Sequence, residues 1–158
     1  MRYDALMLTS RYFGSFATDY TNTDIERGAG QLRMDINLPD PSACTQAVVD
    51  GVDHAIDELD SREAAARAAI AAVMSDDELQ PAKFWQFYRD EVDGFGDLAR
   101  DAFVSTLVLV RVGFYPGKAS DAASHIVLDF AVRGPNTDQL LVVKFRADGS
   151  LGEIAWES

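Results

Sequence analysis

From Leu107 the chain divides into four apolar-rich runs: Leu107 to Tyr115, His125 to Val132, Gln139 to Arg146 and Leu151 to Trp156. Val108, Val110, Val112 and Phe114 lie two residues apart, as do Ile126, Leu128 and Phe130, and Leu141, Val143 and Phe145. That period places each set on one face of a strand. Arg111, Asp129 and Lys144 take the other face, and Lys144 and Arg146 are expected to point to solvent. Gly134-Pro135-Asn136 and Asp148-Gly149 supply turn chemistry between runs, since Pro fixes φ and Gly or Asn tolerates positive φ. The uneven spacing of Leu151, Ile154 and Trp156 predicts a bulge or bend near Gly152. A chain with this segment folds around a sheet, and these fifty residues predict a four-stranded antiparallel meander.

Upstream, Tyr3 to Thr18 reads as one strand or two short pieces with a bend at Gly14. Asp19 to Gly30 is polar and glycine-containing, and reads as a loop. Leu32, Met34, Ile36 and Leu38 alternate with polar residues, as in a half-buried strand. Asp40-Pro41 then reads as the start of a helix, with Asp40 as N-cap, because Val48, Val49, Val52, Ile56 and Leu59 follow at helical spacing. A second helix is expected to open at Asp60 or Ser61, with Glu63 completing a capping box. Its many alanines favour helix. Pro81 to Val92 reads as a third helix, and Asp97 to Thr106 as a last helical turn or two. The order is two strands, three to four helices and four strands. It predicts a single α+β domain over residues 1–158, with the helices packed on one face of a mainly antiparallel sheet.

Length and composition restrict the class. A chain of 158 residues, 47% apolar and 25% charged, can bury a core without disulfide or metal. Its one cysteine, Cys44, excludes an intrachain disulfide. No run reaches the roughly 18 apolar residues that a membrane helix needs. Met1-Arg2-Tyr3-Asp4 leads into polar sequence and does not read as a signal peptide, so a cytoplasmic location is expected. The formal net charge is −12. Residues 40–106 hold fifteen acids and five bases, net −10, while the flanks are each near neutral. Such a segment repels nucleic acid and anionic membranes and permits a basic protein partner.

No phosphate-binding glycine loop, nucleophile elbow or dinucleotide motif occurs, and no cofactor is implied. Asp50 and His54 are four residues apart and can share a helix face, as can Asp53 and Asp57. Asp50 and His54 are therefore the candidate metal ligands for a small metal-dependent hydrolase. Cys44 falls on the apolar stripe of the first helix and reads as an inert thiol. Phe84, Trp85, Phe87 and Tyr88 cannot all share one helix face, because Trp85 is rotated about 100° from Phe84. Trp85 either fills a second internal pocket or serves as an exposed anchor flanked by Asp90, Glu91 and Asp93. With Asp53 and Asp57, these residues form the candidate partner-binding surface.

Ile126 to Phe130, Gln139 to Phe145, Asp148-Gly149 and the closing Ile154-Ala155-Trp156-Glu157-Ser158 resemble the bacterial group known as domain of unknown function 2004. The resemblance covers about the last fifty residues, and its motifs are structural. It transfers no catalytic residue. It implies a small acidic bacterial α+β protein of the immunity or partner-binding kind, which is an analogy of fold. The leading expectation is thus a non-enzymatic binding protein that engages a basic partner through acidic helices. The alternatives are the Asp50/His54 hydrolase and a homodimer joined through a sheet edge or the Trp85 surface; otherwise the chain is a monomer.

Overall fold

The structure, a computed structural model, describes residues 7–17, 20–28, 30–38, 44–117 and 122–158. Asp40 and Pro41 lie outside them. The first described strands, β1 (Leu8–Ser10) and β2 (Gly14–Phe16), form a separate antiparallel hairpin. Six further strands make one sheet in sequence order: β3 (Tyr20–Arg27), β4 (Gly30–Asn37), β5 (Leu107–Phe114), β6 (Ile126–Val132), β7 (Leu140–Phe145) and β8 (Leu151–Glu157). Between β4 and β5 run four helices, α1 (Gln46–Asp57), α2 (Leu59–Val73), α3 (Gln80–Glu91) and α4 (Arg100–Val104). The helical crossover makes β4 and β5 parallel, while every other pairing is antiparallel.

The inner face of the sheet carries Leu32, Met34, Ile36, Val112, Leu128 and Leu141, each buried. Helical side chains close over it: Arg67 lies on the Phe130 ring, Arg62 on Phe145, and Phe84 meets Trp156 edge-on. The result is an α+β fold with helices on one sheet face and one contiguous apolar core.

The C-terminal runs form the expected meander, including the irregularity opposite Gly152, where the β7–β8 register shifts at Lys144/Phe145. Three local expectations need correction. Asp19 to Gly30 was expected to be a loop, yet Tyr20–Arg27 is an edge strand hydrogen-bonded to β4. Ile25 is the one residue of its inner face that is strongly apolar, so the period-two signal was nearly silent; Gly28, at φ +61, then turns the chain into β4. A polar edge strand also presents little apolar surface to a passing chain.

The second correction concerns β5. A bulge between Leu109 and Arg111 leaves Val110 as the extra residue, so the buried positions run Leu107, Leu109, then Val112, Phe114. Strict alternation from Val108 to Phe114 does not hold. The slip turns Arg111 and Gly113 to the outer face.

The third concerns helix starts. Thr45 is the N-cap of α1, accepting from the Val48 N–H at 3.3 Å. Glu58 alone separates α1 from α2, and α2 has no side-chain cap. Glu63, the expected capping-box partner, instead accepts hydrogen bonds from Arg27 and Arg67.

Candidate functional site

The structure separates the sequence-nominated residues into three groups. Asp53 and Asp57 clamp the β1–β2 hairpin onto α1. Asp53 is buried and accepts from the Ser10 hydroxyl at 2.5 Å and the Arg11 N–H at 2.9 Å. Ser10 Oγ also accepts from the N–H groups of Tyr12 and Phe13, which closes the hairpin turn. Asp57 receives Arg11 and the Tyr12 hydroxyl, and those hydrogen bonds hold its carboxyl below the usual carboxylate range. The two acids share a helix face as the spacing predicts, but Asp53 is not on an open surface, because the hairpin covers it.

Asp50 and His54 are both exposed on α1. Asp50 accepts from Gln46 at 2.9 Å, and His54 Nε2 lies 3.4 Å from Glu58. Each thus faces a neighbour other than its proposed co-ligand. Among the described residues no three His, Cys, Asp or Glu side chains come together as a metal-holding group. Cys44 is buried, and burial pushes its thiol pKa up, which disfavours the thiolate.

The aromatic cluster resolves by helix face. Phe84 and Tyr88 are fully buried and join Phe103: Phe84 meets both other rings edge-on, and Tyr88 is tilted against Phe103. Trp85 turns to the other side and is also buried, at 8% exposure. Its indole N–H donates to the Leu98 carbonyl at 2.9 Å. The Arg89 and Arg100 guanidiniums lie 4.8 and 4.5 Å from its ring. Arg100 further reaches Asp77 at 2.7 Å and the Met74 carbonyl at 2.8 Å. One arginine therefore ties together the α2–α3 turn, α3 and the start of α4.

Around this tie the surface is acidic. Asp76, Glu78, Glu91, Asp93, Asp97 and Asp101 are exposed, and none has an ion pair among the described residues. Asp90 pairs, among the described residues, only with its neighbour Arg89. Beside Arg100 opens a pocket of about 280 Å³ whose walls include Ala71, Met74 and Val104, with Asp101 at its rim. The pocket is apolar on one side and carries one unpaired carboxylate, Asp101, beside Arg100, whose guanidinium is already engaged by Asp77. It suits an apolar side chain, with a basic partner drawn by the exposed acids around it. The high acid count of residues 40–106 was visible in the sequence. The pocket was not, because it forms between the end of α2 and α4, about thirty residues apart.

The outer sheet face holds a second charged group that sequence reasoning did not assemble. Arg111 grips Asp35 through two hydrogen bonds of 2.7 Å, and reaches Asp129 at 3.3 Å and the Tyr115 hydroxyl at 3.0 Å. Burial opposes the charge on Arg111, but the bonds to Asp35 and Tyr115 outweigh it and raise its pKa. Burial dominates at Asp129 and raises its carboxyl above the ordinary range despite Arg111. A Cβ on Gly113 would sit 2.6 Å from Arg111 Nη2, so the glycine is what lets the guanidinium lie down across β5. Lys144 continues the row with Glu157 at 3.1 Å and Glu153 at 3.6 Å. Lys144 is half-buried here and does not extend freely into solvent as expected. The signal was present as single charges at off-face positions in apolar strands. Every cation in this row already faces carboxylates, so the arrangement satisfies itself and fixes strand register.

No family model, curated protein or solved structure matches the chain.

Proposed function

We propose that this is a non-enzymatic binding protein whose acidic helical end, formed by the α2–α3 turn and α4, engages a basic protein partner in the manner of a bacterial immunity protein. The observation that supports the reading is the pocket of Ala71, Met74 and Val104, lined also by Asp101 and by an Arg100 already paired with Asp77, and set among exposed acids that lack cationic partners among the described residues. The pocket offers apolar burial to an anchor, and the surrounding charge steers a basic partner toward it. Trp85 stiffens the platform from beneath and does not itself make the contact. Asp90, Glu91 and Asp93, at the far end of α3, extend the same electrostatic surface.

The reading is tested by affinity capture from the source cell. The wild type is compared with a Glu78→Lys, Asp97→Lys, Asp101→Lys variant whose melting curve shows that it is folded. A basic protein is expected with the wild type, lost with the variant, and released as salt rises above the physiological level, where the screening length falls below about 8 Å. Equal capture by both forms, or capture indifferent to salt, rules the surface out.

A further inference from the structure

Within this acidic protein lies a basic pocket, one helical turn along α2 from the acidic end. It has a volume of about 360 Å³ and sits where the β3–β4 turn, the first half of α2 and the start of β5 meet. Three arginines line it, Arg27, Arg67 and Arg133, against one acid, Glu63. Three of the chain's fourteen bases thus converge on one cavity of a molecule with net charge −12.

The geometry organises two of them and leaves the third open. Glu63 is half-buried and holds Arg27 through one carboxylate oxygen and Arg67 through the other, at 2.9 Å for Arg67. Burial works against the Glu63 charge, yet the hydrogen bonds from both arginines keep its pKa low, so it stays ionised as a brace. Arg67 is fixed further by donating to the Leu107 carbonyl at 2.8 Å and by lying over Phe130. Arg27 also reaches Asp60, which is on open surface. Arg133 enters from the end of β6; its backbone N–H donates to Thr106, while its exposed side chain has no partner among the described residues. Its five N–H donors, and Nη1 of Arg67, remain to be satisfied.

Sequence placement keeps the cavity open. Arg27 pairs across the hairpin with Gly30, which lies two residues before the inward Leu32 and so on the same face. A Cβ at Gly30 would meet nothing within 4 Å, so the absent side chain leaves space and not a tight packing contact. The remaining lining is Leu32, Leu107, Val108 and Leu109 with Gly28, Gly30 and Gln31. Guanidiniums in a fork geometry beside apolar wall match a planar or tetrahedral anionic head carried on an apolar body.

We propose that this pocket binds a small organic anion, with Arg133 and Arg67 gripping its carboxylate or phosphomonoester head and its body lying against the strip of Leu109, Val108 and the open space at Gly30. The site shares no lining residue with the pocket at the acidic helical end. The test is an amide-resolved NMR titration of the full chain with phenyl phosphate, benzoate and inorganic phosphate. Saturable shifts at Gly28, Gly30, Gln31 and Arg133 are expected with at least one ring-bearing anion, and the tighter of the two identifies the head group. Arg133→Ala is expected to weaken that binding at least tenfold, and the fold is expected to survive because the exposed side chain has no hydrogen-bond or ion-pair partner among the described residues. Gly30→Leu is expected to fill the cavity and abolish binding. Absence of saturable shifts, or an affinity unchanged in Arg133→Ala, overturns the proposal; inorganic phosphate binding as tightly as phenyl phosphate overturns the role of the apolar wall.

Discussion

Arg111 shows how one side chain joins strands that sequence places far apart. It spans β4, β5 and β6 through Asp35 and Asp129, at 3% and 7% exposure. Arg111→Met leaves both carboxylates without their cation, and the expected loss is about 3–5 kcal/mol in denaturant unfolding. Asp129 behaves differently. Its folded pKa is raised, so the native state holds that proton more tightly than the unfolded chain does. The stability this contributes is present below the unfolded value of about 3.9 and is lost as pH rises through the folded value. Asp129→Asn removes that loss. The stability of the variant relative to wild type is therefore expected to be greater at neutral pH than at about pH 3, where Asp129 is protonated in both states. Urea midpoints at the two pH values decide it, and the reverse order contradicts the assignment.

At the scale of elements, two attachments carry testable weight. Asp53→Ala leaves the Ser10 hydroxyl and the Arg11 N–H without their shared acceptor, at an expected cost of about 1–3 kcal/mol. Hydrogen exchange is expected to quicken in β1 and β2 while the six-stranded sheet keeps its protection. Trp156 secures β8 to α3 through the Phe84 and Phe87 rings and donates its indole N–H to Gln139 at 2.7 Å. It is half-buried, so Trp156→Ala is expected to cost about 2–3 kcal/mol, at or below the low end for a fully buried aromatic. β4, β6 and β7, with strong apolar alternation, and β5 and β8, bounded by turn residues, were legible in the sequence to within a residue or two. β3 was not, because an edge strand needs only one apolar contact, from Ile25, once β4 supplies its hydrogen bonds. The slip at Val110 was invisible because Val108, Val110, Val112 and Phe114 are all apolar, and alternation cannot reveal a bulge among residues that suit either face.

For the whole molecule, the organising fact is a division of charge. The helical layer concentrates acid on its outer surface. The outer sheet face neutralises its own charges, and the basic pocket gathers arginines from three separated segments at one end of the sheet. Composition announced the acidic layer, since charge follows directly from residue type. The Arg27, Arg67 and Arg133 convergence could not be read, because it depends on the β3–β4 hairpin, α2 and the end of β6 meeting around β5. The central claim concerns the acidic end, and its most direct measurement is an amide-resolved titration with a basic amphipathic helical peptide. Shifts are expected to concentrate at Ala71, Ser75, Asp101 and Val104 and to disappear near 1 M salt, where the screening length is about 3 Å. Shifts scattered over the surface, or unchanged at high salt, would contradict the account.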